Sequence, residues 1–228
     1  MRIVSLLFAC LLWNMTFGQK AVSKEISTLL TEGKPLQEVS LIHFVSNEVT
    51  NRSIPLEGLT KGTIVSIDEV AIEKLLNGNS DFIQLGLPLS ERQNLKLNLV
   101  RHEIFAEDFA LYTSSEPGIP FNYTPGVHYK GVVEGDPSSL VAVSVFNNEV
   151  MALISTDHGN MILGRIDNDR ESRHILYAEN DLDKNSGFEC STPDDGFGYT
   201  EDDLKPQAAG RDAGDCVRVY IEIDDDIV

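Results

Sequence analysis

The fold is decided by the run Tyr129-Lys130-Gly131-Val132-Val133-Glu134, Gly135-Asp136-Pro137-Ser138, Leu140 to Phe146, Asn147-Asn148 and Glu149 to Ser155. Its β-branched segments predict strands, and Gly-Asp-Pro-Ser between the first two has turn composition. Val141, Val143 and Val145 fall on one face of their strand, and Asn147-Asn148 predicts a two-residue hairpin because Asn tolerates positive φ. Asp157-His158-Gly159-Asn160 predicts a further turn into Met161 to Ile166, and Arg173 to Ala178 one more strand. Residues 127–179 therefore read as a meander. Its strands are apolar on both faces, which predicts burial between two layers, as in a sandwich or a helix-covered sheet.

Towards the N-terminus, Val39 to Val45, Thr63 to Ile67, Phe82 to Leu87, Leu95 to Phe105 and Phe109 to Thr113 are strand candidates. The one convincing helical run is Asp68 to Leu76, with Asp68 as N-cap and Asn77-Gly78 as the stop; Ala21 to Leu30 offers a second, short helix. The expectation is a mainly β domain over residues 19–179, an antiparallel sheet or sandwich with one short helix.

The flanks differ from this body. Met1-Arg2 and the apolar run Ile3 to Trp13 are too short to span a bilayer and read as a signal peptide over residues 1–18. Thr16 and Gly18 are the small residues that signal peptidase needs for a cut between Gly18 and Gln19. A lipoprotein-type cut before Cys10 is disfavoured by bulky Phe8. No later segment approaches 18 uninterrupted apolar residues, so the expectation is a secreted chain, extracellular or in periplasmic transit, with no membrane association after signal removal. From Glu179 to Asp215 eleven carboxylates face only Lys184, Lys205 and Arg211, which predicts an acidic linker over 180–215. Val217, Val219, Ile221 and Ile223 then alternate with Arg218, Tyr220, Glu222 and Asp224, an amphipathic strand within 216–228 that reads as the start of a second domain. Across 228 residues, 18 Lys+Arg against 36 Asp+Glu give a net charge of −18, which argues against nucleic acid and anionic lipid as partners.

Catalytic patterns are sparse. His43, His102, His128, His158 and His174 lie far apart, and no pair has the i, i+4 spacing of a zinc-binding helix. His43 and His102 fall in strand patterns as structural histidines, and His158 in a turn. There is no Gly-x-Ser-x-Gly elbow, phosphate loop or Cys-x-x-Cys. Asp224-Asp225-Asp226 lacks the spaced ligands of a calcium loop and reads as a solvated strand end. The sequons at Asn51 and Asn122 decide nothing. No catalytic residue, metal ligand or cofactor is therefore expected in this chain.

The stretch from His128 to Ser139, with Val141-Ala142-Val143-Ser144 and Gly159 to Gly164, resembles the propeptide of reprolysin-type (adamalysin-like) zinc metallopeptidases. Cys216-Val217-Arg218-Val219-Tyr220-Ile221-Glu222-Ile223-Asp224 is similar to the first strand of the metallopeptidase domain in secreted bacterial members. The likeness spans about residues 35–228 and implies the front end of a zymogen: a propeptide, then the start of a truncated α/β metallopeptidase domain whose zinc helix lies further downstream. It implies that the propeptide's partner is its own metallopeptidase domain, which it keeps latent and helps to fold.

The resemblance also raises Cys190 as a cysteine switch, a thiolate occupying the open position of the catalytic zinc. Phe188-Glu189-Cys190-Ser191-Thr192 lacks the basic residue before and the Gly after that usually frame the switch. A Cys190–Cys216 disulfide is the other reading, since these are the two cysteines left after signal removal. Arg211, the last basic residue of the linker, is the candidate activation cut. The alternative to the propeptide reading is a free-standing secreted β-sandwich that binds protein or glycan.

Overall fold

The computed structural model describes residues 20–47, 58–113, 115–116 and 118–182. The chain divides into two units, Met1–Gly187 and Phe188–Val228, and all described residues belong to the first. The fold is mainly β, with two helices, α1 (Lys20–Thr31) and α2 (Glu69–Asn77). Ten strands follow in chain order: β1 (Gln37–Val39), β2 (Ile42–Ser46), β3 (Thr63–Ile67), β4 (Phe82–Pro88), β5 (Asn94–Arg101), β6 (Val127–Val133), β7 (Asp136–Phe146), β8 (Glu149–Thr156), β9 (Gly159–Arg165) and β10 (His174–Ala178). They form one sheet in the order β1-β4-β5-β6-β7-β8-β9-β10-β3-β2.

The sheet is mixed, because β1 runs parallel to β4 while the other pairs are antiparallel. The expected single strand from Val39 to Val45 is broken at Ser40-Leu41, and its two pieces pair at opposite ends of the sheet, β1 on β4 and β2 on β3. One stretch of chain thus supplies both ends, and the sheet curls back on itself. The seam is fastened by side chains: Thr63 Oγ1 donates to the Leu89 carbonyl at 2.8 Å, and Asn47 Nδ2 donates to the same carbonyl at 3.1 Å and to Thr63 Oγ1 at 2.8 Å.

Inside the curl, Ile83, Leu85, Leu97, Leu99, Val141, Val143, Val145, Ile154 and Leu163 form one core with Ile72 and Leu75 of α2. Asp68 caps that helix by accepting from Ala71 N–H at 3.0 Å. On the outside, α1 packs Ile26 with Val22 and Leu29 against Phe82, Val100 and Val132, and Glu25 pairs with Lys130 at 3.1 Å.

Three expectations need correction. Among the described residues no second sheet packs on the first, and the two-layer burial expected of the meander holds only in places: where α1 covers the outer face, and where Ile166 and Ile175 pack with Ile64, Leu59 and Tyr177. On β7 and β8, Leu140, Met151 and Leu153 are 41%, 48% and 48% exposed. Among the described residues there are two helices where the expected domain had one, the second being α1, formed where Ala21 to Leu30 offered a short helix. Leu95 to Phe105 ends as a strand at Arg101, and Phe109 to Thr113 belongs to a loop.

The Gly135-Asp136-Pro137-Ser138 segment is also not a plain turn. Glu134-Gly135 makes the turn, with Gly135 at φ +81°, and Asp136 opens β7 as a bulge. Side chains replace the ladder there: buried Ser139 Oγ accepts from Val133 N–H at 2.8 Å and donates to the Asp136 carbonyl at 2.6 Å, while Asp136 Oδ1 accepts from Ser138 N–H at 3.0 Å. Asn147-Asn148 does close a two-residue hairpin from Phe146 to Glu149, but without positive φ.

Candidate functional site

Gly18, Gln19, Cys190, Arg211 and Cys216 lie outside the described residues, so the geometry bears on the folded body alone. There the histidines separate. His43 is exposed, 3.9 Å from Asp68. His102 follows β5 and its N–H donates to the His128 carbonyl at 2.8 Å. His158 sits in the β8–β9 turn.

His174 is fully buried, which the sequence does not announce. Its Nε2 accepts from Val150 N–H at 3.1 Å, and Nδ1 lies 3.1 Å from the Ser172 carbonyl, so the ring is the Nδ1–H tautomer. Burial holds its pKa below the ordinary histidine value. It serves the sheet by satisfying a strand N–H that β9 does not reach. No group of three or more His, Cys, Asp or Glu side chains among the described residues is arranged to hold a metal ion.

The stretch from His128 to Ser139 builds β6, the turn and the bulge of β7, and its residue identities follow from backbone geometry. Tyr129 is buried and donates to the Ser80 carbonyl at 2.9 Å. A Cβ on Gly131 would lie 2.0 Å from the Asn98 carbonyl oxygen of β5. His128 faces outward, with Nδ1 2.9 Å from Ser144 Oγ, and its ring meets Phe105 and Phe146 edge-on at centroid distances of 5.7 and 5.9 Å. Nε2 is buried without a hydrogen-bond partner. Burial lowers its pKa, partly opposed by Glu103 and aided by Arg101, so the ring is neutral at pH 7.

Over His128 lies the 25-residue connection from His102 to Gly126 between β5 and β6, which includes the end of the expected strand Leu95 to Phe105 and all of the expected strand Phe109 to Thr113. Its root is aromatic: Phe105 stacks on Phe109 at 4.4 Å, and both meet Tyr123 edge-on at 6.2 and 5.9 Å. Phe121 N–H donates to the Leu111 carbonyl at 2.7 Å, tying the outgoing and returning limbs. The loop as a whole exposes Ile104, Phe109, Leu111, Tyr112, Ile119 and Phe121, six of the thirteen large apolar side chains exposed among the described residues. Such a concentration on one loop exceeds the ordinary scatter of exposed apolar side chains. The signal was present in sequence as apolar residues between Pro and Gly.

A cavity of about 340 Å³ opens at the sheet seam, lined by Leu89, Met161, Leu176, Thr63, Lys61 and Asp181 among others. Its volume is at the lower end for a ligand pocket, and the donors of Asn47 and Thr63 at its rim are engaged with Leu89. The loop is the stronger candidate. Neither a family model nor a curated protein matches this chain.

Proposed function

We propose that this chain is the N-terminal propeptide region of a secreted, reprolysin-like zinc metalloendopeptidase, keeping the protease latent and assisting its folding. The observation that carries the reading is that the stretch resembling such propeptides, His128 to Ser139, forms the central β6–β7 hairpin, with Gly131, Gly135 and Ser139 required by its geometry. The reading is further supported by the order of the chain, in which this folded body precedes Cys190, Arg211 and Cys216. The zinc belongs to the expected downstream domain, where it would activate the attacking water.

N-terminal sequencing of the products secreted by the native host tests the reading. It expects one N-terminus at Gln19 and a protease N-terminus just after Arg211; a protease N-terminus upstream of residue 180 refutes it. Cys190→Ser separates the two roles of that thiol. As a zinc ligand its loss weakens inhibition strongly, whereas as the partner of Cys216 its loss lowers the melting temperature under oxidising conditions only. The second reading, a free-standing secreted β module that binds protein or glycan, is favoured by the exposed apolar loop, and a single secreted product with no protease attached would select it.

A further inference from the structure

We propose that the β5–β6 loop is a docking surface for an apolar, cation-rimmed groove on a protein partner; that the partner is the metallopeptidase domain rests on the propeptide reading above. The loop has the two properties of a preformed binding element. It is ordered at its root by Phe105, Phe109, Tyr123 and His128, and its limbs are tied at Phe121 and Leu111, so less conformational freedom is lost on docking. Pro120 and Pro125 stiffen the returning limb further.

Charge selects the occupant. From Glu103 to Val127 the chain carries Glu103, Glu107, Asp108 and Glu116 and no Lys or Arg. Apolar side chains interleaved with carboxylates match a groove lined by apolar residues and rimmed by Lys and Arg. The same charges oppose loop-to-loop pairing of two copies and adhesion to an anionic bilayer, on a chain already at −18. Ile119 and Phe121, 61% and 53% exposed, are the anchors.

The test uses the chain from Gln19 to Val228 and the purified mature metallopeptidase domain, with binding followed by surface plasmon resonance. The double variant Ile119→Ser/Phe121→Ser is expected to raise the dissociation constant at least ~30-fold while keeping the melting temperature, since both side chains are exposed. Glu107→Lys/Glu116→Lys is expected to slow association about tenfold at low salt and much less at high salt. Unchanged binding by the double variant, with its fold intact, overturns the loop assignment and leaves the propeptide reading standing. Failure of the wild-type chain to bind the mature domain removes that reading and the loop's partner with it. Loop-dependent dimerisation, or uptake by phosphatidylcholine vesicles in place of protease binding, overturns the choice of occupant.

Discussion

Gly131→Ala is the substitution for which the structure gives the sharpest magnitude. The new Cβ would sit 2.0 Å from the Asn98 carbonyl oxygen and 2.9 Å from Leu99 Cα, about 1.4 Å short of ordinary contact at 3.4 Å for the first of these. The obstacles are backbone atoms of β5, paired to β6 from Leu97 to Arg101, so no side chain can swing away. Relief requires prising apart two central strands whose inner faces, Leu97, Leu99, Tyr129 and Val133, belong to the main core. Overpacking of this kind costs roughly 3 kcal/mol, offset by up to about 1 kcal/mol from the reduced freedom of the unfolded chain. The net loss of about 2–3 kcal/mol corresponds to a melting temperature lower by roughly 4–12 °C. Gly164→Ala on β9 is the control, because a Cβ there meets nothing within 4 Å; it is expected to be neutral or stabilising by up to about 1 kcal/mol. Urea unfolding followed by circular dichroism reads both. A Gly131→Ala protein as stable as wild type, or a Gly164→Ala protein that loses more, refutes the close approach of β5 and β6.

His174→Ala is expected to lose about 2–4 kcal/mol, because it empties a buried site and orphans Val150 N–H; an equilibrium urea titration at pH 7.5 checks this. Since the folded pKa of His174 lies below its ordinary value near 6.5, its contribution is fully present above pH 6.5 and falls as the pH drops below it, so the wild-type stability curve should slope there more than that of a His174→Gln variant. Ser139→Ala removes the hydroxyl that bridges Val133 N–H and the Asp136 carbonyl; a loss of about 1–3 kcal/mol is expected by the same titration. The Arg173 guanidinium, at 2.7 and 2.9 Å, holds Asp169 at a pKa of about 2. Its stabilisation is therefore present above about pH 4 and lost as the pH falls toward 2, and Asp169→Asn should flatten acid unfolding in that window.

What sequence reading captured was local. The alternation of Val141, Val143 and Val145, the Asp68 cap and the Phe146–Glu149 hairpin depend on neighbours within a few residues, and each appears in the fold. What it missed depends on distant partners or on exposure. Parallel pairing of β1 with β4 joins Glu38 to Gln84, and no pattern within Val39 to Val45 foretells that its two halves separate. The Asp136 bulge and a plain turn share one composition, and only the bond from Val133 to Ser139 tells them apart. His174 takes its role from Val150, 24 residues away. The β5–β6 loop was misread for a physical reason: Phe109 to Thr113 has strand-like composition, and apolar residues kept outside for contact look the same in sequence as those kept inside for packing.

The central claim is latency, and trans-inhibition tests it most directly. Mature metallopeptidase from the native host is assayed on a fluorogenic peptide while the chain from Gln19 to Val228 is titrated in, under reducing and non-reducing conditions. The propeptide account predicts saturable inhibition that reaches completion near one chain per enzyme. Full peptidase activity at every concentration of a folded chain contradicts it.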